Sequence, residues 1–389
     1  MKPILVVFLT VVLDLVGFGI VIPLLPFYAL DFSATPLQVT LLMACYSLAQ
    51  FVAAPLWGQL SDRIGRRPVL LLSVGLTAVM LAGFASANSL WMLFLFRTLH
   101  GAMTANISTA QACMADLTTP ENRAKGMGLI GAAFGIGFTL GPFIGGELAT
   151  TSLTLPLWLA AGLSALNFVL ALAWLPETRH AGSLPSRRSI APAALWSALT
   201  APAIGLCIAL TFVQVFSFAL MESTFTLFAK ATHGMEPAEI GRLFGLVGIL
   251  GIVVQGGLIG RLVKRFGERP LVPVGLGLLT LGILALPTAP PGYALAGVFC
   301  LLAVGQGLAT PSLQSLISRS AAAGDQGTVL GSAQSISALA RATGPALGGI
   351  LFTAGGPAAP FYAAGVLLIG AVALAFPATA RASASVTAR

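Results

Sequence analysis

The chain has 389 residues, 57% of them hydrophobic and only 8% charged, where soluble domains carry about 25% charged residues. Most of its surface cannot be solvated, so the composition excludes a soluble globular domain and implies an integral membrane protein. The formal net charge of +8 does not describe a basic face for nucleic acid, because the cations cluster in short turns between apolar runs.

A membrane-spanning helix needs about twenty apolar residues. By that measure twelve spans are predicted, near 4–30, 36–60, 68–87, 89–116, 120–149, 154–175, 200–229, 236–263, 270–287, 292–318, 324–354 and 357–378. The fold class is all-α integral membrane, with an N-terminal six-helix bundle over 1–175, a linker over 176–199 and a C-terminal six-helix bundle over 200–389. The opening run follows Lys2 and has the outline of a secretory signal. It is too long for one, carries Asp14 and lacks a small-x-small cleavage site, so it reads as an uncleaved first span. Thr35-Pro36 and Thr119-Pro120-Glu121 are helix N-caps followed by proline at the first helical position. Asn88-Ser89 and Pro290-Pro291-Gly292 are short turns. Cys45, Cys113, Cys207 and Cys300 all fall in apolar segments without metal-ligand spacing, and read as packing residues.

Orientation follows from the turns. One side receives Lys2, Arg63, Arg66, Arg67, Arg123, Lys125, Arg179, Arg187, Arg188, Lys264, Arg265, Arg269, Arg319 and the tail arginines. The other has little beyond Asp31, Lys230, His233, Glu236 and Glu239. The excess of Lys and Arg places both termini and the linker in the cytoplasm, with the chain multi-pass in the cytoplasmic (inner) membrane. At about two dozen residues the linker is too short to be a soluble domain.

The turn between the second and third spans reads Gly58-Gln-Leu-Ser-Asp-Arg-Ile-Gly-Arg-Arg-Pro-Val-Leu70. It returns as Gly260-Arg-Leu-Val-Lys-Arg-Phe-Gly-Glu-Arg-Pro-Leu-Val272, so Gly58, Leu60, Arg63, Gly65, Arg67 and Pro68 recur at one offset as Gly260, Leu262, Arg265, Gly267, Arg269 and Pro270. A fixed offset over half an apolar chain signals an internal repeat, as in two-bundle transporters. Gly58 and Gly65 suit close approach of helix ends, Pro68 presets the next helix, and Arg63, Arg66 and Arg67 suit carboxylates or lipid phosphates. In the second copy Lys264 stands where Asp62 stood. The first copy resembles the signature turn of the major facilitator superfamily. That resemblance implies that Asp62 latches the two bundles in the outward-facing state, with partners at Arg123 and near Asp325–Gly327. Without the resemblance, a charged turn that only enforces topology explains the same residues.

The fifth span carries Gly131, Gly135, Gly137, Gly141-Pro142 and Gly145-Gly146, and the eleventh carries Gly344-Pro345 and Gly348-Gly349. Glycines four apart make a flat face for close helix contact, and proline bends the helix; the reading is a kinked contact between bundles. The pattern resembles the antiporter signature of drug-exporting members of the superfamily, which implies export against an ion gradient.

Charges inside a bilayer are costly and mark function by default. Four stand out: Asp14, Arg97, Glu222 and Arg341. Asp14-Leu-Val-Gly17-Phe-Gly19 resembles the first-helix motif of twelve-helix drug/proton antiporters, close to the tetracycline exporters. Arg97-Thr-Leu-His100-Gly101 resembles their fourth-helix motif, in which an arginine is tied to proton coupling. The resemblance makes Asp14, Arg97, Glu222 and His100 the proton-coupling candidates. Asp14 with Arg97 as a static buried pair, and His100 as a packing residue, are the plain alternatives. Tyr46, Gln50, Asn106, Gln111, Gln214, Phe218, Gln255, Gln306, Gln314 and Arg341 are candidates to line a mostly apolar cavity, suited to lipophilic ligands oriented by a few polar groups.

The third span has no acid, nor the ninth, and the eighth no histidine. The tetracycline exporters carry these groups to handle a metal–drug complex, so a broader or different lipophilic substrate is implied, with no cofactor or metal. A phosphate-binding loop, a His-Glu-x-x-His motif and paired histidines at ligand spacing are all missing from the sequence, so no enzyme is expected. The expectation is a monomeric, proton-coupled exporter of lipophilic small molecules working by alternating access. A metabolite or sugar exporter on the same fold and a non-transporting receptor are the alternatives.

Overall fold

The computed structural model describes residues 3–104, 106–119, 122–178, 202–321 and 326–387. Among these, the regular structure is entirely helical, in fourteen α-helices: α1 (Pro3–Asp31), α2 (Pro36–Ile64), α3 (Arg66–Ala85), α4 (Leu90–Met103), α5 (Asn106–Leu117), α6 (Arg123–Ala149), α7 (Leu155–Trp174), α8 (Pro202–His233), α9 (Pro237–Val253), α10 (Ile259–Phe266), α11 (Glu268–Ala285), α12 (Tyr293–Ser320), α13 (Gln326–Gly355) and α14 (Ala359–Thr387). Ten continuous helical stretches in the described residues are long and apolar enough to cross a membrane. The other two spans depart for visible reasons. One is α13, rich in Ser, Thr and Gln and carrying Arg341. The other is the fourth, predicted as one helix over 89–116 but divided into α4 and α5. The twelve-span, all-α class read from the sequence is the class of the structure.

Local chemistry explains most boundaries. Thr35 begins α2 with a reciprocal cap: its Oγ1 accepts from Gln38 N at 3.3 Å and its own N–H donates to Gln38 Oε1 at 2.8 Å. Ser89 and Gly292 start α4 and α12, as their turn residues imply. Pro120 and Glu121 of the predicted cap lie outside the described residues, as does the linker beyond Thr178. The eighth span is continuous but contains a π turn, Val254–Leu258, between α9 and α10.

Two compact units are built. One consists of α1–α7 together with Gly234–Ile249, and the other of α8 and the chain from Leu250 through α14. In the first, a cluster of Val6, Val7, Val11, Leu15, Leu70, Val74, Cys113, Met114, Ile130 and Ala133 packs α1, α3, α5 and α6 together. Asn167 Nδ2 donates to Thr10 O at 3.0 Å, fixing α7 to α1. In the second unit, Phe225, Phe299 and Phe361 are fully buried, with the Phe225 and Phe299 rings edge to face at 4.8 Å. All four cysteines are free thiols, Cys113 and Cys207 buried and Cys45 and Cys300 partly so.

Candidate functional site

The break between α4 and α5 creates the polar centre of the first unit. At Thr104 the backbone turns extended, with φ −83° and ψ 105°. Breaking a helix within a membrane frees carbonyls that must find other partners. Trp57 Nε1 donates to Ala102 O at 2.7 Å, Ser73 Oγ to Met103 O at 2.8 Å and Thr104 Oγ1 to His100 O at 2.7 Å. Donors from α2 and α3 therefore hold the break open. Its consequence is placement: Asn106 becomes the first residue of α5, and its amide Nδ2 donates to Asp14 Oδ1 on α1. Asn106 Oδ1 is buried without a hydrogen-bond partner. Asp14 thus sits enclosed about halfway along α1 with an amide on it, and among the described residues no ion pair joins it to Arg97.

Arg97 lies apart from it, 3% exposed, in a different setting. Its guanidinium carbon stands 4.4 Å from the centre of the Tyr46 ring and 5.8 Å from that of Phe18. Tyr46 in turn meets the His100 ring edge-on at 5.1 Å and Phe18 at 5.3 Å. Gly101 permits this, because any Cβ there would collide with the Tyr46 carbonyl. Arg97 Nε and Nη1 have no hydrogen-bond partner. Ring faces attract a cation by about 0.5–2 kcal/mol each, while a buried charge without a counter-ion costs several kcal/mol. The box holds the arginine without neutralising it.

The charged turn is held from three directions. Gly65 has φ +107°, a conformation suited to glycine, and a Cβ there would stand 2.5 Å from Glu177 Oε2. Glu177 caps α3, accepting from the backbone N–H groups of Arg66 at 3.0 Å and Arg67 at 3.1 Å. Arg66 bridges Asp62, Nη1 to Oδ1 at 2.5 Å, and Asp116 at the end of α5, Nε to Oδ2 at 3.3 Å. Asp62 is therefore engaged by Arg66; the side chain of Arg123 and residues 322–325 lie outside the described residues. Arg67 reaches the Leu172 carbonyl at 2.9 Å, and Arg63 also has a polar or electrostatic partner. The expected close approach at Gly58 is not seen, since a Cβ there would meet nothing within 4 Å.

The second copy keeps the geometry and reverses the charges. Gly267 has φ +77°. Glu268, at the position of Arg66, bonds Ser315 Oγ at 2.9 Å and Arg319 Nη1 at 2.9 Å near the end of α12. The pattern Asp62/Arg66 becomes Lys264/Glu268, so acid-to-base at i,i+4 is exchanged for base-to-acid. Glu268, Ser315, Glu177 and Asp116 were not singled out from the sequence, and Arg319 entered it only as a cation that sets orientation. The repeat offset contained the signal for Glu268; nothing local pointed to Glu177.

The glycine face formed by Gly137, Gly141 and Gly145 of α6 lies on α1, while the other side of α6 meets α9, a helix that the sequence reading assigned to the C-terminal bundle and that packs here in the same unit as α6. A Cβ on Gly141 would lie 2.7 Å from Gly19 Cα and 2.8 Å from Val16 O, and one on Gly145 2.8 Å from Ile20 O. Gly137 abuts Leu15 in the same way, and Pro142 is buried within a helix that continues through it. Gly146 turns toward α9, where a Cβ would stand 2.6 Å from Pro237 O, and glycines of α9 answer it, Gly241 against Pro142 O, Gly245 against Phe143 and Gly248 against Thr139. Beside Gly146, Glu147 and Arg242 form a two-bond ion pair, at 2.6 and 3.2 Å. Their separation in sequence left this pair invisible before folding. Glu147 lies in the last turn of α6, the end of that helix away from α5 and Asp116.

In the second unit, a Cβ on Gly344 would stand 2.9 Å from Phe216 O, so α13 meets α8 as α6 meets α1, with Pro345 buried beside it. Gln214, 1% exposed, donates to Gln306 Oε1 at 2.9 Å and Thr310 Oγ1 at 2.6 Å, tying α8 to α12. Glu222 is half-buried and lies within electrostatic reach of Arg341 on α13. Of the other cavity candidates, Gln50, Gln111 and Phe218 are half-buried, whereas Gln255, in the π turn, and Gln314 are exposed. The structure thus separates the candidates into an Asp14–Asn106 pair, an Arg97–Tyr46–Phe18–His100 box, a Gln214–Gln306 bridge and a Glu222–Arg341 couple.

Comparison with known proteins agrees with this architecture. The sequence matches the Major Facilitator Superfamily over residues 7–345 and again over 258–389. It is 33% identical over 342 residues to the class C tetracycline resistance protein of Escherichia coli, covering 86% of each chain. It is 29% identical over 344 residues to multidrug resistance protein 2 of Bacillus subtilis, covering 86% of this chain and 85% of that one. Among solved structures, the human organic anion transporter MFSD10 superposes with a TM-score of 0.73 at 27% identity, over 96% of this chain and 99% of that one. An inward-facing, unoccupied bacterial homologue of the human lysosomal transporter Spinster shares the fold at a TM-score of 0.81, with 16% identity, over 98% and 97% of the two chains. A match that runs through both halves of the sequence, on a backbone shared with solved transporters, leads to one conclusion: the chain belongs to the Major Facilitator Superfamily, as a membrane transporter and not an enzyme.

Proposed function

We propose that the protein exports lipophilic small molecules from the cytoplasm in exchange for protons, by alternating access, as a monomer in the cytoplasmic membrane with both termini inside. The tetracycline and multidrug resistance relatives support efflux of drug-like compounds. The excess of Lys and Arg on one side of the spans supports the orientation.

The observation that carries proton coupling is Asp14, an acid enclosed within α1 and bonded to Asn106. Intramembrane acids of this kind mark proton relays. The pair is suited to both protonation states. The ionised carboxylate accepts from Asn106 Nδ2, and a protonated one has the unfilled Asn106 Oδ1 available as an acceptor for its O–H. One proton moving down the membrane potential supplies about 2.3 kcal/mol per 100 mV, enough for substantial accumulation at one proton per cycle. Glu222, half-buried and within electrostatic reach of Arg341, is the second intramembrane acid. Asp62, through Arg66, is the proposed latch at the cytoplasmic end.

The test is substrate-dependent proton movement in proteoliposomes across a panel of lipophilic anions, lipophilic cations, neutral drugs and sugars. Lipophilic compounds are expected to move protons and sugars not. Asp14→Asn is expected to abolish accumulation under a pH gradient and retain counterflow. If that variant still concentrates substrate, coupling does not run through Asp14, and Glu222→Gln is then the decisive variant.

A further inference from the structure

Arg97 is the buried charge that the proton-coupling scheme leaves unused. The guanidinium is 3% exposed, two of its three nitrogens lack partners, and Asp14 is bonded to Asn106. Its walls are aromatic: Tyr46 at 4.4 Å and Phe18 at 5.8 Å, with Phe138 set edge-on against Phe18 at 6.2 Å. Tyr46 is buried and held by the α2–α4 contact at Gly101, whereas Phe18 is half-buried and forms the less enclosed side of the box. A planar fork of unfilled donors fits a planar anion, and the flanking rings fit an apolar body attached to it. Arg97 lies seven residues into α4, about 11 Å from its start at 1.5 Å per residue, which is too deep for a lipid headgroup.

We propose that the Arg97 guanidinium, walled by Phe18 and Tyr46, is the docking point for the anionic group of an otherwise apolar substrate, a carboxylate or enolate carried on an aromatic or aliphatic body. The bound anion supplies the counter-charge that the protein withholds, so its affinity depends on charge and not on bulk alone. This refines the substrate class of the exporter proposed above. It is tested by binding without flux, so failure of proton-driven export would leave the result readable.

The experiment is equilibrium dialysis of the purified full-length protein in detergent micelles against fluorescent 2-naphthoate and its neutral isostere 2-naphthamide. The wild-type protein is expected to bind 2-naphthoate about tenfold or more tightly than 2-naphthamide, as a charge-assisted hydrogen-bonded pair warrants. Arg97→Gln is expected to erase that preference while keeping 2-naphthamide binding. Arg97→Lys, which retains the charge and serves if the glutamine variant does not fold, is expected to lose part of the preference with the planar fork. Equal binding of the two ligands by the wild type, no binding of 2-naphthoate, or an undiminished preference in the Arg97 variants would overturn the assignment.

Discussion

Two glycines ten residues apart on α6 are expected to respond to alanine with opposite signs. At Gly141 the added Cβ would stand 2.7 Å from Gly19 Cα and 2.8 Å from Val16 O, all backbone atoms of α1. Ordinary carbon contacts lie at about 3.5–4.0 Å, so α1 and α6 must separate by about 1 Å. Overpacking of that kind costs about 1–3 kcal/mol. At Gly131, which is exposed, a Cβ would meet nothing within 4 Å, and alanine recovers up to about 1 kcal/mol of helix propensity. The two substitutions should therefore differ by about 2–4 kcal/mol. The assay is size-exclusion chromatography after a heat series in micelles, which reads an apparent Tm. Gly141→Ala should fall below wild type and Gly131→Ala should match or exceed it. Equal shifts for the two would refute the claim that backbone contact with α1 sets the glycine face. Gly141→Leu goes further and is expected to stop transport.

Two other perturbations address the ends of the spans. Asp62→Asn is expected to reduce transport severely while membrane insertion and expression stay near wild type, because it removes one of two carboxylates on Arg66; wild-type flux in that variant would remove the latch. Glu147→Arg and Arg242→Glu are each expected to slow transport, and the double exchange to restore it, because the exchanged pair can re-form the same contact. A double variant no better than either single one would show that this ion pair does not contribute to the transport cycle.

The sequence alone determined the class and the punctuation of the chain. Apolar runs of spanning length, separated by cationic turns, leave helices as the stable state, because a backbone in lipid must satisfy its own hydrogen bonds. The repeated Gly-x-Leu turn showed two related halves, and its Gly65 and Gly267 both take the positive φ that such turns require. Asp14 and Arg97 were legible as costly intramembrane charges, but their partners were not. The break at Thr104 has no proline, and the glycine before it, Gly101, is one of many in these spans; Trp57 and Ser73 from other helices hold the break, so the local sequence did not mark it. That break, by placing Asn106 against Asp14, separates the acid from Arg97 and leaves the guanidinium between rings. The Glu147–Arg242 and Glu268–Arg319 pairs join residues 95 and 51 positions apart. Composition and periodicity report what each segment must bury; which polar atoms meet across helices was decided only by packing in three dimensions.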